Sequence, residues 1–230
     1  MTQLIDVTGD ERDAGISEAV EALRDGQAVV LPTDTVYGVG ADAFNLDGTA
    51  RIFAAKDRER RVPLPVLVRS PKQLLGLTPA VPEVAEALMA AFWPGALTLV
   101  VPAEPGIRWD IGKTEGTVAV RMPLDDVTLE VIRAVGPMAV TSANRHGEPP
   151  ATTAQQAHEQ LGDAVACYLD DGPRTESSPS TIVDLTRAEP HVLRAGAIGE
   201  DLVLRVARGE LDPLEAAAEL LTHTRAPDAE

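Results

Sequence analysis

The stretch Ala28-Val29-Val30-Leu31-Pro32-Thr33-Asp34-Thr35-Val36-Tyr37-Gly38-Val39-Gly40 decides the fold class. Its first four residues are apolar without alternation, the pattern of a strand buried on both faces, and Pro32 ends the run. A strand of that kind needs cover on both sides, which predicts a sheet between layers of helices. Upstream, residues 17–25 place Ala19, Val20 and Leu23 at helical spacing and stop at Gly26. Downstream, helices are expected at 47–56, with Asp47 as N-cap, and at 82–93, 126–135, 153–162 and 212–223. Strands are expected at 66–68, 97–101, 117–122, 138–140, 165–169, 181–185 and 191–193. The interleaving gives an α/β protein, with a tail at 225–230 expected to fray.

Composition narrows the function classes. The chain has 230 residues, 44% hydrophobic and only 3% aromatic, so its core must be built from aliphatic side chains. A row of aromatics for stacking on single-stranded bases is excluded. The net charge of −16 argues against a surface that coats nucleic acid. The opening residues carry Asp6, Asp10, Glu11, Arg12 and Asp13 and form no apolar leader, and no apolar run approaches a membrane span. Cys167 is alone, which excludes an internal disulfide and fits a reducing cytoplasm. A cytoplasmic protein without membrane contact is therefore expected.

Candidate ligand groups sit where strands run into polar loops. Phosphate-loop, zinc-protease and nucleophile-elbow signatures are missing, and His146, His158, His191 and His223 are too dispersed for a zinc site. Residues 38–43 fit G-x-G-x-x-A. Six residues separate them from the preceding strand and no helix follows, so a dinucleotide site is not expected. Thr33, Thr35 and the two glycines suit either a close-fitting small ligand or an ordinary turn. Lys56 and Arg58 close a helix, where they either meet its dipole in solvent or clamp a polyphosphate. Residues 153–156 fit a capping box, which accounts for the threonines there but not for Ser142 and Asn144. The period of two puts Thr117, Ala119 and Arg121 on one strand face, a shallow dish with a cation at its side that suits a carboxylate. Ser180 opens another strand, and Arg194 follows a third.

In chain order these pieces are P-T-D-T-x-Y-G-x-G at 32–40, K-x-R at 56–58 and T-V-x-V-R-x-P at 117–123. T-S-A-N at 141–144, S-T-I-V-D-L at 180–185 and R-x-G-x-I at 194–198 complete them. Together they resemble the YrdC-like threonylcarbamoyl-AMP synthases across most of residues 15–206. The resemblance implies a three-layer fold with a strongly twisted mixed sheet around a large concave cavity. It implies a nucleotidyltransferase making threonylcarbamoyl-AMP and pyrophosphate from L-threonine, bicarbonate and ATP, with Mg²⁺ bound mainly through ATP phosphates. A downstream threonylcarbamoyl transferase complex would then modify the adenosine beside the tRNA anticodon, with direct tRNA binding only weakly expected. By resemblance Lys56, Arg58, Ser142 and Asn144 are catalytic. The same four, with Thr117, Thr152 and Arg194, bind ATP, and Thr35, Arg121 and Ser180 bind threonine. No residue is assigned directly to a metal. Residues 1–206 are expected to be the catalytic domain and 207–230 a C-terminal helix and tail, as in the short family form. The chain departs from the family pattern at Glu59, at Val62-Pro63-Leu64, at Leu67 and at Arg145-His146-Gly147.

Two other readings compete. A tRNA- or double-stranded-RNA-binding maturation factor would use the same concave surface but should be broadly basic. A carbamoyl-adenylate enzyme of hydrogenase maturation would be expected in a much larger chain. Residues 51–69 hold Arg51, Lys56, Arg58, Arg60, Arg61 and Arg69 against Asp57 and Glu59, a local balance of +4 that leaves −20 elsewhere. One positive mouth on an acidic protein suits ATP better than a long polyanion.

Overall fold

The computed structural model describes residues 2–175 and 178–224. The tail expected at 225–230 lies outside the described residues. In chain order come β1 Gln3–Asp6, α1 Arg12–Arg24, β2 Val29–Leu31, β3 Gly38–Asp42, α2 Leu46–Lys56 and β4 Val66–Leu67. They are followed by a 3₁₀ segment at Pro71–Gly76, α3 Glu83–Phe92, β5 Leu97–Pro102, β6 Thr117–Arg121, α4 Asp126–Val135 and β7 Met138–Ser142. Then come α5 Ala154–Leu161, a short 3₁₀ turn, β8 Cys167–Asp170, β9 Thr181–Asp184, β10 His191–Arg194, α6 Glu200–Ala207 and α7 Pro213–Thr224.

Among the described residues ten strands form one mixed sheet in the order β1-β8-β2-β3-β7-β4-β6-β5-β9-β10. The doubly apolar β2 lies inside it, paired parallel to β8 and antiparallel to β3. Its side chains divide as a buried strand requires. Val29 and Leu31 pack with Ala19, Val20 and Leu23 of α1 and Val131 and Ile132 of α4. Ala28 and Val30 belong to the opposite core with Ile52 and Phe53 of α2, Leu88 and Phe92 of α3 and Ala157 of α5. Each fully buried aliphatic of this kind contributes about 1.5–3 kcal/mol by leaving water. Helices on both faces give the three-layer α/β arrangement. Among the described residues no helix is long and apolar enough to cross a membrane.

On the α1/α4 side the apolar core includes Leu67, Met138 and Val140 but no residue of β5, β6 or β9. That face of the sheet is left without helical cover, and the concave site forms there.

Several local expectations are corrected. Gly38 and Gly40 are not a loop but lie in β3, pairing with β2 at Leu31 and Val29. A Cβ on Gly38 would stand 2.6 Å from Val140 Cγ1, and one on Gly40 2.8 Å from Val140 Cγ2. The glycines therefore seat Val140 of β7, and the G-x-G pattern is a packing feature. Strand β7 runs to Ser142, so Thr141 and Ser142 are held by ladder hydrogen bonds rather than by a loop. Strand β1 and helix α6 have no counterpart in the sequence reading. At α5 Thr153 accepts from the Gln156 N–H as expected, but the Gln156 carboxamide reaches back to Thr152.

Helix α2 begins two residues earlier than Asp47 as N-cap suggests. Asn45 is the N-cap, its Oδ1 accepting from the Asp47 and Gly48 amides at 3.1 and 3.0 Å. Asn45→Ala removes that acceptor and should lower stability by about 1 kcal/mol. Urea denaturation checks this, and an unshifted midpoint would contradict the capping role.

Candidate active site

The uncovered face of the sheet forms the floor of a cleft of about 420 Å³. Ala119 and Arg121 of β6, Thr98 of β5, Ile182 of β9, Leu67 of β4 and Val140 and Ser142 of β7 line it. Its rim comes from loop residues Thr33, Thr35, Val36 and Tyr37, from Val62, Pro63 and Pro65, and from Pro179 with Ser180. Three guanidiniums, those of Arg58, Arg121 and Arg194, reach this lining, and no Asp or Glu among the described residues does.

Arg121 is positioned by strand alternation, since Val118 and Val120 face the opposite core. It is only 7% exposed. Its Nε donates to the Gly95 carbonyl at 3.0 Å, Nη1 to Thr35 Oγ1 at 3.1 Å and Nη2 to Asp34 Oδ1 at 2.5 Å. Burial lowers its pKa, and Asp34 opposes that shift. The Thr35 hydroxyl in turn lies 3.1 Å from that of Thr33.

Ser180 and Arg194 form a second group. Arg194 donates through Nε and Nη2 to the Ser180 carbonyl at 3.1 and 2.7 Å, and through Nη2 to Ser180 Oγ at 3.1 Å. Ser180 Oγ also lies 2.8 Å from Thr98 Oγ1. Burial, then the charge of Arg121, lowers the Arg194 pKa, so these two cations act on one another across the site. An anion between them would relieve the repulsion. The R-x-G-x-I segment clamps the same peptide, with the Ala197 amide on the Pro179 carbonyl at 2.9 Å and Thr181 Oγ1 on the Ile198 carbonyl at 2.6 Å.

The K-x-R pair splits at the end of α2. Asp57 is left-handed at φ 49, which turns the chain so that Lys56 and Arg58 leave in different directions. Arg58 lines the cleft and holds its rim, donating to the Val62 and Pro63 carbonyls and to Thr141 Oγ1. Burial lowers its pKa. Lys56 is 2% exposed. Its ammonium donates to the Ser142 carbonyl at 2.5 Å, to the Asn144 carbonyl, and to Asn144 Oδ1 at 3.3 Å. Burial, followed by the charge of Arg58, draws the Lys56 pKa down to about 7. The Asn144 amide secures the following loop through the Arg145 and Glu148 carbonyls. The Ser142 side-chain hydroxyl makes no hydrogen bond among the described residues and is available to a ligand.

Of the residues singled out in the sequence, Thr35, Arg58, Arg121, Ser142, Ser180 and Arg194 thus converge on one cleft. Lys56 and Asn144 stand behind Ser142 and do not line it. Thr117 and Thr152 are also absent from the lining: Thr117 Oγ1 donates to the Thr114 carbonyl, and Thr152 Oγ1 to Gln156. Two lining or supporting groups were not singled out. Thr98 is the one hydroxyl in the apolar run 97–101, a signal that β5 faces something polar. Asp34 was in plain view beside Thr35 but had no assigned role.

The family model Sua5_yciO_yrdC, described as "Telomere recombination", matches residues 21–196. A protein of Mycobacterium tuberculosis is 51% identical over 207 residues, covering 90% of this chain and 95% of that protein. The Bacillus subtilis protein named threonylcarbamoyl-AMP synthase is 38% identical over 203 residues, covering 86% of this chain and 59% of that one. Among solved structures, Pyrococcus abyssi Sua5 complexed with L-threonine superimposes with a TM-score of 0.84 at 38% identity. The match covers 89% of this chain and 61% of that chain, so this chain spans about three fifths of the archaeal protein. The fold alone is shared with Escherichia coli YciO, at a TM-score of 0.77 and 24% identity over 89% of this chain and all of that one. The chain belongs to the Sua5/YciO/YrdC family.

Proposed function

We propose that the protein is an L-threonylcarbamoyladenylate synthase, a nucleotidyltransferase that joins L-threonine, bicarbonate and ATP. One observation carries the reading: three guanidiniums converge on a cleft with hydroxyls and apolar walls and without a lining carboxylate. That set suits a ligand pair bringing a carboxylate and a polyphosphate together. The likeness to relatives carrying the synthase name, and to a structure with threonine bound, supports it.

In the proposed reaction the threonine amine and bicarbonate form a carbamate and water. A carbamate oxygen then attacks the α-phosphorus of ATP, the bond to the β-phosphate oxygen breaks, and pyrophosphate leaves. Such a step needs alignment and charge neutralisation more than a covalent catalyst. Arg121 receives the threonine carboxylate, with Thr35 and Ser180 beside it, and Arg58 and Arg194 receive phosphates together with the Ser142 hydroxyl. Thr117 and Thr152 lie outside the cleft lining, and by the family resemblance they fall on the ATP side. Lys56 and Asn144 act from behind, holding the Ser142 turn and contributing charge through it.

Among the described residues no group of three or more His, Cys, Asp or Glu could hold a metal ion. With no carboxylate among the described residues of the lining, a Mg²⁺ would be held mainly by the ATP phosphates themselves, where it would add to the neutralisation of charge. The product would pass to a transferase acting on tRNA. Pyrophosphate release from ATP, measured with and without L-threonine and bicarbonate, tests the reading. Release should require both, and threonine-independent release would refute the reaction.

A further inference from the structure

We infer that Asp34 is a positioning residue for Arg121, the counter-charge that aims the guanidinium into the cleft and sets how strongly it takes a ligand carboxylate. The inference rests on the reading of Arg121 as the amino-acid carboxylate receptor. Asp34 itself does not line the cleft. It stands in the β2–β3 connection, and its Oδ1 accepts both from Arg121 Nη2 at 2.5 Å and from the Leu124 amide at 3.0 Å. One oxygen thereby ties the β2–β3 connection both to the Arg121 guanidinium and to the chain that follows β6. The ion pair is enclosed, with side-chain exposures of 9% for Arg121 and 13% for Asp34. Gly95 and Thr35 complete the guanidinium's contacts.

The arrangement gives Asp34 two opposed effects. It fixes the fork of Arg121 before any ligand arrives, which avoids ordering it on binding. It also repels the arriving carboxylate, which must share Arg121 with it. Two carboxylates about 6 Å apart in a partly desolvated site repel enough to change affinity by roughly tenfold or more. A buried arginine without its counter-ion is costly, so Asp34 holds the free protein together at the expense of ligand affinity.

Two variants separate these effects. Asp34→Asn keeps an acceptor oxygen for Arg121 and Leu124 and removes the charge. Asp34→Ala removes both. By calorimetry, Asp34→Asn should bind L-threonine about tenfold more tightly than wild type, while its ligand-free Tm falls and its threonine-induced Tm rise grows. Asp34→Ala should bind threonine at least tenfold more weakly. A residue that only supports the fold would weaken binding in both variants, and that result, or no change in either, overturns the inference. Nitrogen-15 NMR of the Arg121 side chain gives a readout independent of threonine. Its Nη signals should be resolved by restricted rotation in wild type and Asp34→Asn and merge in Asp34→Ala. If wild type binds no threonine, the functional reading fails. The NMR pattern then decides the positioning role by itself, and Nη signals unaffected by Asp34→Ala overturn it.

Discussion

Gly196→Ala is expected to unfold more readily and to disturb the Ser180–Arg194 side of the cleft, although Gly196 does not line it. A Cβ there would stand 2.3 Å from the Pro179 carbonyl oxygen, 2.5 Å from the Ser180 carbonyl carbon and 2.6 Å from the Thr181 nitrogen. All three are backbone atoms, so no rotamer change can make room. Either residues 194–198 or residues 179–181 must move. The hydrogen bonds joining the two segments, from Arg194 and Ala197 to Ser180 and Pro179, would move with them. Overpacking against backbone belongs at the upper end of such penalties, about 3 kcal/mol. For a chain of this size that corresponds to a fall in Tm of roughly 6–12 °C. Because Ser180 Oγ bridges Thr98 and Arg194, its displacement should also weaken threonine binding. Gly9→Ala is the comparison, since nothing lies within 4 Å of a Cβ there. Calorimetric unfolding of both variants decides the matter: equal Tm values would mean that the close approach at Gly196 has no energetic consequence.

The R-x-G-x-I motif also illustrates what the sequence could and could not convey. Its arginine invites reading as a ligand for phosphate, and Arg194 does reach the cleft. The glycine has no such chemistry, and its role depends on a backbone segment fifteen to seventeen residues away in the chain, which no local pattern encodes. The same holds for Gly38 and Gly40, whose spacing mimics a dinucleotide fingerprint while their reason is the bulk of Val140.

Strands and helices with strong periodicity were legible. The α4 span agrees with the structure at both ends, and the doubly apolar 28–31 run indicated cover on two faces, as the two cores show. Strand β3 was not legible, because two glycines and a terminal Asp lower its strand signal while tertiary pairing with β2 and β7 supplies the hydrogen bonds. For the site, residue type and alternation identified Arg121 and its dish-like face. Alternation could not reveal that Lys56 turns away from its neighbour Arg58. That depends on the left-handed Asp57, a conformation set by the end of α2.

This divergence makes Lys56 and Arg58 separable by experiment. Arg58→Ala removes a cation from the cleft lining and should cut turnover by two to three orders of magnitude, the scale for losing a group that neutralises developing charge. It also frees the Val62 and Pro63 carbonyls at the rim, where water can replace it, so its effect on Tm should be small. Lys56→Met should lower turnover and stability together. It leaves the two carbonyls and the carboxamide oxygen of residues 142–144 without their shared donor in a buried place, and an unsatisfied buried group costs about 1–3 kcal/mol. The two substitutions differ in pH behaviour as well. With its pKa drawn down to about 7, Lys56 gives up its proton far more readily at pH 8 in the free protein than an ordinary lysine. A polyphosphate beside Ser142 favours the charged form, so ATP binding at pH 8 should take up a proton. Calorimetry in buffers of different ionisation enthalpy measures that uptake. It should persist in Asn45→Ala, which leaves Lys56 in place, and disappear in Lys56→Met. Uptake that survives Lys56→Met would mean that another group senses the phosphates. Turnover unchanged in Arg58→Ala would remove that arginine from the phosphate site.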